Sequence, residues 1–294
     1  MLDLFHYGFM VRALVASVLV GSLCSVVGVF VVTRGLSFIG AGIAHAAFAG
    51  VTLGFLLGVS PLALAVVFSL ITVWLIQLVE RKGQLRMDAS IGIFFSLAMA
   101  LAILFIGLMR SYNAEVYGYL FGNVLGVTHG DLVLILGVSM VVLTLLALLF
   151  KEYEFMIFDQ EVAEAAGIAT GALFALLLTM IAVTVVVSLK AVGVILVFAL
   201  IVTPAASAYQ WTHSLRKMVG LSALFGTTGS LGGLFLSYGF DLPSGATIVL
   251  MVSLIFGVCT AFSPKRRRCE CVRIESTERE QGREVEVGED IGPG

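Results

Sequence analysis

The chain has 294 residues, of which 60% are hydrophobic and 12% charged, with a formal net charge of −2 and a mean hydropathy of +1.08. A soluble domain holds about 45–50% apolar and about 25% charged residues, so this apolar surplus cannot be buried in one water-soluble core and needs lipid. The near-neutral balance and the lack of a basic face exclude a nucleic-acid binder.

A helical span needs about 20 apolar residues, and taken in chain order the sequence offers nine such stretches, at about 9–33, 38–58, 61–79, 89–109, 131–150, 171–189, 191–211, 218–238 and 245–262. The expected fold class is therefore all-α, a polytopic membrane bundle of 8–9 transmembrane helices. The first stretch is too long for a cleavable signal and lacks a small-x-small cleavage site, so it reads as a span. In the second, Gly42, Ala46, Gly50, Gly54 and Gly58 recur every four residues, a stripe of small side chains that lets another helix approach closely. His45 sits beside that stripe and is the one ionisable side chain placed well inside a span. A polar group at that depth is costly and marks a pathway or a binding role. Neutral imidazole is a common ligand for zinc, manganese and iron-type cations. The alternative is a histidine hydrogen-bonded to a neighbouring helix, and the sequence leaves both open.

Residues 114–128 are too short to span and read as a re-entrant or interfacial segment. The run FDQEVAEAAGI (158–168) opens with Asp159, Glu161 and Glu164 and closes on Gly167, as expected of a short helix with an acidic start and a glycine stop. It lies in the longest internal connection and reads either as a docking element or as a solvated connector. The sixth and seventh stretches adjoin at Lys190, and Pro204 interrupts the seventh, so the pair also reads as one long broken helix, which would give eight spans. Residues 265–294 form a charged, glycine-containing tail, expected to be disordered and distinct from a transmembrane domain over 1–264. Of the four cysteines, Cys24 and Cys259 lie in apolar runs. Cys269 and Cys271 form a lone C-x-C in the tail, which is no disulfide framework.

Alternating the nine stretches with the C-terminus in the cytoplasm puts Arg34, Arg81, Lys82, Arg86, Lys151, Arg216, Lys217 and Lys265 to Arg268 inside. Only Arg12, Arg110 and Lys190 fall outside. The chain holds no phosphate-binding G-x-x-x-x-G-K-[ST] run, no G-x-S-x-G elbow and no H-E-x-x-H pair, so neither ATP hydrolysis nor catalysis is expected within it.

Four collinear segments carry a resemblance: SFIGAGIAHAAFAG (37–50), YLFGNVLGVTHGDL (119–132), FDQEVAEAAGI (158–168) and VGVILVFALIVTPAASA (192–208). Over about residues 8–262 the chain resembles the permeases of zinc, manganese and iron ABC importers. The resemblance implies a homodimer in the plasma (inner) membrane, a separate cytoplasmic ATP-binding subunit and an external metal-binding protein. It implies a coupling helix at 158–168 and a metal-pathway role for His45, with the cation as cargo and no permanent cofactor. One departure stands out: where the family often has an aspartate four residues before this histidine, the chain has Ala41. Losing a hard oxygen ligand tilts the expected cargo towards zinc, ahead of manganese and iron. His129, Asp131, Glu115 and Asp241 fall at the outer side and are candidates for the entrance. A metal-chelate cargo and an ion-coupled secondary transporter are the competing readings. The second lacks the membrane-embedded carboxylates it would need.

Overall fold

The computed structural model describes residues 8–264 apart from Gln84 and residues 110–113. The tail with Cys269 and Cys271, the cluster Lys265 to Arg268, and Arg110 lie outside the described residues. Among those described, the chain is helical throughout, with no strand. In order the helices are α1 (Gly8–Thr33), α2 (Ile39–Leu57), α3 (Pro61–Arg81), α4 (Met87–Leu108), α5 (Ala114–Phe121), α6 (His129–Leu148), α7 (Phe150–Phe158), α8 (Gln160–Ala165), α9 (Thr170–Val192), α10 (Val194–Trp211), α11 (Leu215–Phe240) and α12 (Ser244–Ala261). Nine of them, all but α5, α7 and α8, are long and apolar enough to cross a bilayer. Helix is the form this sequence must take in lipid, because every backbone N–H and C=O has to be paired without water.

Short polar signals set the ends. Ser60 caps α3 ahead of Pro61, which fits the first helical position because it has no N–H to satisfy. Thr128 and Asp131 form a reciprocal capping box on α6. Gly58, at φ 68°, closes α2 in the left-handed conformation. It is therefore a cap, not the last member of the small-residue stripe.

Helices α1, α2 and α9 form the centre, while α4 and α6 are peripheral and expose most of their surface. With no water to drive apolar faces together, close packing depends on small residues. A Cβ added to Gly28 of α1 would lie 1.9 Å from the carbonyl oxygen of Ile201 in α10. One added to Gly50 of α2 would lie 2.3 Å from that of Leu64 in α3. Across α1 and α11, Gly21 meets Ser230 and Gly226, and the Ser222 hydroxyl donates to the Ser25 carbonyl at 2.7 Å.

The chain reverses at Gly193 (φ 92°, ψ 155°), a single residue between α9 and α10. The end of α9 lies beside the start of α6, where Lys190 meets Asp131. The end of α10 lies at the other side of the bundle, where the Ser263 hydroxyl donates to the carbonyl of Gln210 at 3.1 Å. So α9 and α10 are two spans, not one broken helix, and Pro204 sits inside α10 without ending it. The described residues therefore cross nine times. One end of the bundle gathers Arg34, α7, α8 and the start of α9. The opposite end gathers α5, the N-terminus of α6 and the α9–α10 turn. There Gly122, at φ 78°, presses on the Val192 carbonyl, and the Asn123 N–H donates to the Lys190 carbonyl at 3.3 Å, which folds 114–128 back as a non-spanning lid on that turn.

Candidate functional site

His45 lies in the half of α2 nearer the α8 end and is half-buried in the isolated chain. Its Nδ1 is 2.9 Å from the carbonyl oxygen of Ala41, one turn earlier. A carbonyl can only accept, so Nδ1 carries the hydrogen. That leaves the Nε2 lone pair of the neutral ring free for a cation. The hydrogen-bonded partner is thus the residue's own helix, not a neighbouring one. Ala41 holds the imidazole through its backbone, at the position where a carboxylate was missed in the sequence. The ring lies against Phe95 of α4, with centroids 4.5 Å apart at 60°. Phe95 gave no signal in the sequence, where it is one aromatic in an apolar run.

The candidates at the opposite end stand in different surroundings. Asp131 is bound by Lys190, whose Nζ stands 2.7 Å from Oδ2 and 2.9 Å from Oδ1. It also accepts from the Thr128 N–H at 2.9 Å. The Nη1 of Arg12 lies 3.4 Å from Nε2 of His129, and its Nε donates to the Val127 carbonyl at 3.1 Å. Asp241 is the left-handed cap of α11, at φ 52°. Glu115 lines a cavity of about 420 Å³ with Tyr119, Asn123 and Lys190. Among the described residues no three His, Cys, Asp or Glu side chains stand close enough to hold a metal ion. His129, Asp131 and Asp241 therefore do not come together as one entrance site. Two of the cations that broke the charge asymmetry, Arg12 and Lys190, prove to be pinned in local networks.

At the α8 end the run 158–168 folds as expected from its residues. Asp159 caps α8, its carboxylate accepting from the Val162 N–H at 3.1 Å. Gly167, at φ 85°, ends the turn and lets the Ile168 N–H reach the Ala163 carbonyl at 3.1 Å. The Glu164 carboxylate accepts from the Thr170 hydroxyl and from the Gln160 amide, and these hydrogen bonds hold its pKa below the usual carboxylate value. Asp159, Glu164 and Gly167 thus shape the helix, while Glu161 faces outward. The surface they present is more apolar than the sequence implied: Phe158 is 79% exposed and Val162 51%, around a fully buried Ala163. Phe158 and Val162 thus leave apolar side chains exposed beside the acidic residues of this turn.

Comparison with known proteins agrees with this geometry. The sequence profile of the ABC 3 transport family matches residues 6–263. The manganese transport system membrane protein MntC of Halalkalibacterium halodurans is 36% identical over 264 residues, covering 90% of each chain. The manganese import system permease protein ScaB of Streptococcus gordonii is 34% identical over 264 residues, covering 90% of this chain and 95% of the relative. Among solved structures, PsaBC from Streptococcus pneumoniae in complex with Fab superimposes with a TM-score of 0.83 at 34% identity, covering 92% of this chain and 97% of that one.

Proposed function

This chain belongs to the ABC 3 transport family, and from that premise we propose that it is the permease subunit of an ATP-driven importer whose cargo is manganese(II). The observation that carries the reading is the end-to-end likeness to permeases named for manganese transport. It replaces the tilt towards zinc that Ala41 suggested. The physical reason is that one missing carboxylate does not set cargo when the candidate pathway offers a single imidazole. Selectivity among divalent ions rests on geometry, ligand set and metal availability, not on raw affinity.

A bare divalent cation cannot cross hydrocarbon, so the path has to be polar and enclosed. Half-buried His45 is too costly to leave against lipid at its depth, which supports a second copy of the chain covering it and adding a second imidazole. A path with so few ligands holds the ion briefly, as conduction requires. We assign the α8 end to the cytoplasm on the excess of Arg and Lys there. The apolar and acidic surface of α8 is then the docking face for a separate ATP-binding subunit. The opposite end receives the ion from an external metal-binding protein.

The test is uptake into liposomes by the permease reconstituted with its ATP-binding and metal-binding partners, with manganese, zinc and iron measured by elemental analysis. Manganese should accumulate with ATP. His45→Ala should lower uptake about tenfold or more while the complex still assembles, the scale expected when a metal ligand is lost. ATP-dependent uptake of zinc without manganese would overturn the cargo, and undiminished uptake by His45→Ala would overturn the pathway role.

A further inference from the structure

Arg34 follows the last residue of α1, where an arginine ordinarily serves as a solvated orientation charge. Here it is half-buried and bound on three sides. Its Nη1 donates to the carbonyl of Met156, near the end of α7, at 3.2 Å. Its Nη2 donates to Oε1 of Gln160, the first residue of α8, at 3.0 Å. The ring of Phe174, in the second turn of α9, lies 5.4 Å from the guanidinium carbon. The carbonyl end of α7 also favours a cation there.

On one side of the guanidinium is a stiff unit. The ring of Tyr153 in α7 packs edge-on against Phe30 of α1 with centroids 5.4 Å apart, and its hydroxyl donates to the Leu173 carbonyl at 3.1 Å. On the other side is a tight elbow. Gly35, at φ 70°, turns the chain, the Leu36 N–H closes on the Val31 carbonyl at 2.9 Å, and α2 begins at Ile39. That helix carries His45. Helix α8 packs on α7 and the start of α9, so its hydrogen-bonded connection to the α1–α2 elbow runs through Arg34.

We infer that Arg34 is a positioning residue that carries displacement of the 158–168 docking helix into the α1–α2 elbow, and so to the helix of His45. This rests on the reading of the chain as an ATP-driven permease. A guanidinium suits the task because its planar fork holds two acceptors in fixed directions while its face rests on an aromatic ring. A lysine keeps the charge but not the fork.

The experiment compares wild-type and Arg34→Lys permeases in the reconstituted complex, reading assembly, ATP hydrolysis and manganese transported per ATP. Assembly and hydrolysis should persist in Arg34→Lys while ions per ATP fall about five- to tenfold, the range for a residue in a coupling network. A merely structural role would lower assembly and both rates together. An unchanged ratio in Arg34→Lys overturns the inference. Should Arg34→Lys fail to assemble, Gln160→Ala, which keeps Arg34 and removes one acceptor, should lower the ratio about twofold or more. An unchanged ratio there overturns it equally. Absence of uptake by the wild-type complex sinks the functional reading and this inference together. Wild-type uptake with full coupling in the variants sinks the inference alone.

Discussion

Single residues here act mostly through what pins them. His45 was visible in the sequence because a titratable group in an apolar run is conspicuous. Its tautomer was not, because it depends on the Ala41 carbonyl one helical turn away. Lys190 and Asp131 are the reverse case. Each looked like a solvated outer residue, and 59 positions separate them, yet they form an ion pair at 2.7 Å with side-chain exposures of 40% and 23%. Partial exposure keeps such a pair modest. In a double-mutant cycle of Lys190→Gln and Asp131→Asn, thermal unfolding of the detergent-solubilised permease should show a coupling of about 0.5–1 kcal/mol. Asp131→Asn alone should cost more than Lys190→Gln alone, since Asp131 also closes the capping box with Thr128. Equal single effects with no coupling would mean the pair contributes nothing to the outer end.

At the scale of helices, packing is set by where a side chain is absent. Gly28 lets α1 touch the backbone of α10, and the carbonyl that an added methyl would strike belongs to Ile201, which cannot swing aside as a flexible side chain can. Gly28→Ala should therefore force α1 and α10 apart and destabilise the fold by about 1–3 kcal/mol, the range for overpacking a close interface. The readout is a lower melting temperature and a smaller monodisperse fraction in detergent. Gly137→Ala serves as the control, because open space surrounds that position on α6. Unchanged melting of Gly28→Ala would show that the helices have room to separate at no cost. Nine helices were legible to within a few residues because lipid imposes length and hydropathy directly. The 158–168 helix was legible because its cap and stop residues are local signals. The break between α9 and α10 was misplaced at Lys190, since a one-residue reversal leaves no polar loop, only Gly193 at positive φ. The links from Arg34 to Met156, Gln160 and Phe174 span more than 120 positions and had no periodicity or motif to announce them.

Over the whole molecule, the basic side chains are divided unequally between the two ends of the bundle. The nine crossings place Arg34, Arg81, Lys82, Arg86, Lys151, Arg216 and Lys217 at the α8 end, against Arg12 and Lys190 at the other among the described residues. That asymmetry is the basis of the proposed orientation, in which the basic end faces the cytoplasm. It is also the orientation that the proposed role of α8 requires, since a helix docking an ATP-hydrolysing partner has to face the compartment that holds ATP. Single cysteines can test it in a background carrying Cys269→Ser and Cys271→Ser, because the two remaining native cysteines, Cys24 and Cys259, are buried. Ser60 lies exposed between α2 and α3 at one end, and Glu161 lies exposed on α8 at the other. With a membrane-impermeant maleimide on intact cells, Ser60→Cys should label and Glu161→Cys should not, and permeabilising the cells should expose Glu161→Cys. Labelling of Glu161→Cys in intact cells would invert the protein in the bilayer. The docking face would then point away from ATP, and the reading of α8 as a coupling helix would fall with it.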